Sequence, residues 1–90
     1  MANKIIKLCP SRAIVVDSAA LLSVGETGPS SWNLNVYFAG EEDPYSTRLP
    51  GIKTRDQAEH LLRRVLTWMI EPDDEHIINL PAWCGAIVNP

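Results

Sequence analysis

The sequence predicts an α+β fold. A mainly antiparallel sheet of four to six strands carries one long amphipathic helix, about residues 54–70, on its apolar face, all within a single domain spanning 1–90. Three observations carry this expectation. Residues 32–39 (WNLNVYFA) alternate apolar and polar side chains, the period of a half-buried strand. Residues 54–70 repeat apolar side chains at i, i+3, i+4 and i+7 behind a capping sequence, the period of a surface helix. Short β-branched runs punctuated by Pro and Gly fill the rest of the N-terminal half.

Taken in order, residues 4–9 (KIIKLC) and 12–17 (RAIVVD) are compact apolar runs. Pro10-Ser11 between them reads as a tight connection, with one long strand kinked at Pro10 as the alternative. Residues 19–24 (AALLSV) admit a short helix capped by Asp17 or Ser18. They also admit a strand in which Ala20, Leu22 and Val24 alternate with Leu21 and Ser23. Gly25 and Gly28-Pro29 follow at once and favour the strand, entering a hairpin loop.

In 32–39, Trp32, Leu34, Val36 and Phe38 face one way and Asn33, Asn35 and Tyr37 the other. One buried and one wet face is the antiparallel pattern. Gly40 opens the acidic loop Glu41-Glu42-Asp43-Pro44, and residues 45–49 (YSTRL) resume as the hairpin partner, with Tyr45, Thr47 and Leu49 on one side.

Pro50-Gly51 turns the chain into the helix. Thr54 caps it, Gln57 is placed to reach back as in a capping box, and Asp56 sits near the positive end of the macrodipole. Ala58, Leu61, Leu62, Val65, Leu66 and Met69 form the apolar stripe, with Glu59 and Arg63 as an outer i, i+4 pair. Glu71-Pro72 ends the helix, because proline disfavours helical geometry in the residue before it. Asp73-Asp74-Glu75-His76 is a polar turn. From Ile77 to Pro90 there is no charged side chain, and nine of the fourteen residues are hydrophobic, unlike a solvated tail. Residues 77–80 read as a last strand. Trp83, Ile87 and Val88 then dock on the sheet, on the helix or on a second subunit.

Bulk properties narrow the function. Ninety residues build one modest core, burying roughly 60–65% of the unfolded surface. Eight Lys and Arg stand against eleven Asp and Glu, a net charge of -3, where nucleic-acid binders rely on a basic face. No apolar run approaches the roughly 20 residues of a membrane span, and no signal-peptide apolar region follows the first residues. The expected location is cytoplasmic. Cys9 and Cys84 belong to no C-x-x-C or Cys/His cluster and read as reduced thiols there, with a disulfide stapling the termini as the alternative.

Candidate chemistry is sparse. Asp56 could orient His60 as a general-base pair requires, but a surface histidine explains the same spacing. His76 follows Asp73, Asp74 and Glu75 without zinc-type or EF-hand spacing. No serine lies in G-x-S-x-G, and the GETG loop at 25–28 lacks the lysine and following helix of a P-loop. No catalytic residue, cofactor or metal site is expected. Arg48, Lys53, Arg55, Arg63 and Arg64 place five of the eight cations within seventeen residues, interrupted by Asp56 and Glu59. Trp68, four residues after Arg64, offers a cation–π partner.

The leading expectation is a non-catalytic protein–protein interaction or accessory protein, homodimeric. Its partner-binding residues would be Tyr37 on the wet strand face, Glu41, Glu42 and Asp43 in one acidic loop, Asp73, Asp74 and Glu75 in the other, and Trp83, Ile87 and Val88 in the tail. Three tryptophans exceed what one small core easily buries, and interfaces enrich tryptophan. One alternative is a small acidic inhibitor, of the kind phages and mobile elements encode, that blocks a basic nucleic-acid-binding site on a larger complex. The other is a nucleic-acid-binding module using Arg55, Arg63 and Arg64.

Overall fold

A computed structural model describes residues 4–17, 19–70 and 76–89. The order of elements is β1 (Ile5–Cys9), β2 (Arg12–Val15), β3 (Ala19–Gly28), β4 (Ser31–Phe38), β5 (Tyr45–Arg48), α1 (Arg55–Ile70), β6 (Ile77–Asn79) and α2 (Leu80–Val88). The fold is α+β, mainly antiparallel, with a long helix packed on a sheet. The strands divide into two three-stranded sheets, ordered β2–β1–β6 and β3–β4–β5, rather than joining in one.

The first sheet begins as a hairpin. Ile5 pairs with Val15 and Ile6 with Ile14, and a bulge between Lys7 and Cys9 absorbs the Pro10-Ser11 turn. β6 then joins the other edge of β1 in parallel, Ile5 beside Ile77 and Ile6 beside Ile78. A parallel neighbour requires a long crossover, and α1 lies within it. The second sheet is a meander. β3 pairs with β4 from Ala19–Phe38 to Gly28–Ser31, and β4 pairs with β5 from Asn33–Arg48 to Val36–Tyr45. Residues 19–24 are strand as the sequence suggests, but the strand runs on through residues 25–28, read from sequence as a loop, because β4 pairs with it as far as Gly28–Ser31.

The alternation in β4 translates directly into burial. Trp32, Leu34 and Val36 are buried and the intervening side chains are half-buried. Trp32 Nε1 has no hydrogen-bond partner among the described residues. Leaving it unpaired costs about 1–3 kcal/mol, which burial of the large indole offsets.

α1 starts where its caps dictate. The Gln57 N–H donates to Thr54 Oγ1 at 3.2 Å. The Gln57 side-chain oxygen reaches one residue beyond the expected capping box and accepts from the Lys53 N–H at 2.9 Å. The buried stripe is Ala58, Leu61, Val65 and Trp68, while Leu62 and Met69 are half-buried and Leu66 is 40% exposed. The expected stripe is thus rotated toward Trp68, because α1 also packs against α2 on that flank.

α2 is the main departure from the sequence reading. Residues 80–88 are helical rather than an irregular docked tail. Asn79 is the N-cap and accepts from the Ala82 N–H at 3.1 Å. Pro81 sits in the first turn, where its missing N–H costs nothing. Leu80, Cys84 and Ile87 are buried at helical spacing, and Trp83 and Val88 pack against the same core. The tail closes the core. α2 sits on β1 and β6, α1 sits on β3, and the two helices meet. Gly51 turns the chain into α1 at φ +80°, with Val88 Cγ2 only 3.6 Å from where a Cβ would stand.

Candidate interaction site

Register fixes what each sheet turns away from the core. On the second sheet, Leu21 lies beside Tyr37, Ser23 beside Asn35 and Gly25 beside Asn33. Asn33 and Asn35 lie beside Arg48 and Ser46 in turn. Directly paired residues share a face, so these eight form one outer surface. Arg48, at a corner, is its only charge. Ser46 Oγ donates to Asn35 Oδ1 at 2.7 Å. Asn35 Nδ2 lies 3.2 Å from the point a Gly25 Cβ would occupy, so the amide spans all three strands and levels the face. Tyr37 stands at one end beside Leu21, which is 55% exposed.

The free edge of this sheet follows from one hydrogen bond. The Leu49 N–H donates to Trp32 O at 2.9 Å, so Trp32, Leu34 and Val36 turn their backbone groups toward β5. Alternation then aims those of Asn33, Asn35 and Tyr37 at β3. Their partners on β3 are Gly25, Ser23 and Leu21. Leu22 and Val24 therefore direct N–H and C=O outward, on the side where β3 has no strand neighbour among the described residues.

The first sheet's outer face is different. Val15, Ile5 and Ile77 form one apolar row across it, with Val15 47% and Ile77 57% exposed. Ala13, Lys7 and Asn79 form the adjacent row.

Other sequence-predicted residues distribute as follows. Glu41, Glu42 and Asp43 are exposed in the β4–β5 connection. Asp73, Asp74 and Glu75 lie outside the described residues, as do the expected helix stop at Glu71-Pro72 and the possible Ser18 cap. Ile87 is buried within the chain, and Trp83 and Val88 are half-buried on the core. Trp83 meets Trp68 edge to face, centroids 6.2 Å apart at 74°. The Arg64 guanidinium lies 4.9 Å from the Trp83 ring, not over Trp68, while Lys4 Nζ lies 5.0 Å from Trp68. Arg55 stacks toward Trp32 and Arg12 toward Tyr45. Arg12 also donates to the Tyr45 hydroxyl, and Lys4 Nζ to Trp68 O. Two of the three arginines expected to face nucleic acid thus rest on aromatic rings.

His60 and Asp56 are both exposed on α1, and His76 is exposed before β6. Among the described residues no three His, Cys, Asp or Glu side chains are grouped to hold a metal ion, and no helix is long and apolar enough to cross a membrane. Both cysteines are free. Burial pushes the Cys84 thiol up to about 11. Hydrogen bonding to Ser11 lowers that of Cys9.

Sequence reasoning located Asn33, Asn35 and Tyr37 but missed Leu21, Ser23, Gly25 and Ser46 as their neighbours, because pairing register is not written in either strand alone. The chain matches no protein-family model, no curated protein and no solved structure.

Proposed function

We propose that this chain is a non-catalytic protein-interaction module of the cytoplasm that also self-associates, and that the outer face of the β3–β4–β5 sheet is its contact surface. The observation that carries this reading is the composition of that face. Eight residues drawn from three strands include one charge, and they set Tyr37 beside exposed Leu21. Interface cores are depleted in charge and enriched in tyrosine. The two free thiols suit a reducing compartment.

The test is quantitative capture from cells of the native host, with wild-type, Tyr37→Ala and Asn35→Arg chains as baits. Partners should be lost from both variants while the far-UV spectrum is kept. Partners retained equally by all three baits would remove this face from the reading.

A second reading, the acidic inhibitor of a basic site, draws on the exposed Glu41, Glu42 and Asp43. It predicts that replacing these three by Gln and Asn abolishes capture while Tyr37→Ala does not.

A further inference from the structure

We infer that β3 pairs antiparallel with β3 of a second copy across a two-fold axis at Ser23, joining the two β3–β4–β5 sheets into one of six strands. This rests on the self-association proposed above and adds to it a named edge and register.

The edge is long and open. β3 has ten residues, and the outward N–H and C=O groups of Leu22 and Val24 lie on the side with no strand neighbour among the described residues. An exposed edge of this kind templates pairing with another chain unless it carries charge, proline or a covering element. Between Ala19 and Gly28 the only charged residue is Glu26, and there is no proline.

The occupant follows from how the strand matches itself. Ladder bonds must join outward-facing residues, here Leu22 and Val24, so Leu22 of one copy meets Val24 of the other and Ser23 faces its own copy. Leu21 then lies opposite Gly25 of the second copy, which adds no side chain of its own beside the Asn35 amide that lies over it. The two Glu26 carboxylates fall near opposite ends of the pairing, about 20 Å apart at strand rise, well beyond the screening length of physiological salt. An axis at Val24 instead would put Glu26 beside the apolar Leu22 and Leu21 opposite the polar Thr27.

Area requires more than the strand. A stable interface removes roughly 800 Å² from each partner. α1 packs on β3, and its flank away from α2 carries Leu66, 40% exposed, and Ile70, 82% exposed. Pairing across the edge sets both α1 helices on one face of the joined sheet, where Leu66 and Ile70 offer further apolar surface.

The test uses the full chain in analytical ultracentrifugation with three proteins. The wild type should sediment as a dimer. Ser23→Lys puts two like charges on the axis, on the solvent side of the sheet, and should raise the dimer dissociation constant at least roughly tenfold without changing the melting curve of the monomer. Ser23→Cys, made with Cys9→Ser, should form an intermolecular disulfide on mild oxidation, because facing residues at a non-hydrogen-bonded site are about 4.5 Å apart and within disulfide reach. Ser46→Cys in the same background, two strands away, should not.

A wild-type dimer that Ser23→Lys leaves intact, and that Ser23→Cys does not cross-link, overturns the β3 edge while self-association stands. A wild type that remains monomeric at high concentration overturns both, leaving the partner-binding reading to the capture experiment. If Ser23→Lys does not fold, cross-linking of Ser23→Cys against Ser46→Cys decides alone.

Discussion

The β3–β4–β5 sheet is made from one continuous stretch of chain, each strand paired with its neighbour in sequence, and it hides its apolar residues on one side only. The β2–β1–β6 sheet joins a hairpin near the start of the chain to three residues near its end. It keeps an apolar row, Val15–Ile5–Ile77, on the outside. Local pairing closes short loops early, whereas pairing Ile5 with Ile77 must first order everything between them. The first sheet should therefore be the part of the molecule that depends most on the helices, and the second the part that holds its own geometry.

The largest effects should come from one buried residue in each sheet, Ile78 on the edge strand β6 and Leu34 on the central strand β4. Ile78 is 1% exposed and Leu34 fully buried, so each replaced by Ala should lose about 2–5 kcal/mol in urea unfolding. Amide exchange sharpens the comparison. In Ile78→Ala, β6 and β1 should exchange well before β3–β4, as a locally opening unit does. Equal acceleration in both sheets would show that the two unfold together and that the division is only one of shape.

The next effect belongs to the helix that locks β6 in place. Cys84 in α2 is buried beneath the first sheet, and its thiol titrates at about 11 rather than at its ordinary 9.0. The folded state holds the proton more tightly than the unfolded state. Stability from this group is therefore fully present below pH 9 and declines as pH rises toward 11. The loss is on the order of 2–3 kcal/mol at most. Cys84→Ala should flatten the unfolding free energy over that range. A slope that survives the substitution would place the alkaline sensitivity elsewhere.

The same contrast explains what was legible in the sequence. Trp32, Leu34 and Val36 announce their sheet by period, and their meander neighbours follow because hairpins pair what adjoins. Thr54 and Gln57 announce α1 because capping is local chemistry. The split into two sheets was not legible, since nothing in Ile77-Ile78-Asn79 says that its partner is Ile5-Ile6-Lys7. Leu66 falls on the apolar period and Trp68 outside it, yet Trp68 is buried and Leu66 exposed, because the orientation of α1 is set by α2, which lies in distant sequence. α2 does carry a local signal, Asn79 two residues before Pro81, a cap followed by a first-turn proline. The wet face of β4 was visible as single residues, but its extent needed register from three strands.

The Asn79 cap gives a smaller, sharper test. Asn79 Oδ1 satisfies the Ala82 N–H at the start of α2, and Asn79→Ala should cost about 1 kcal/mol. Because Asn79 also ends β6, the loss should appear as faster exchange in β6 and α2 with β3–β5 unchanged. Thr54→Ala at the start of α1 should cost a similar amount, but α1 touches both halves of the molecule, so its effect should spread to β3.

The smallest expected effect bears most directly on which sheet meets a partner. Ile77 and Ile78 are adjacent, yet Ile77 is 57% exposed and Ile78 1%. In an isolated chain Ile77→Thr removes surface that is already largely wet and keeps a β-branched residue beside Ile5, so stability should move by no more than about 0.5 kcal/mol. That near-silence is what a free outer face on the first sheet requires. A loss several times larger, growing with protein concentration, would mean that the Val15–Ile5–Ile77 row is covered in the assembled protein. The first sheet would then be the binding face, and the levelled amide surface of the second merely its solvated back.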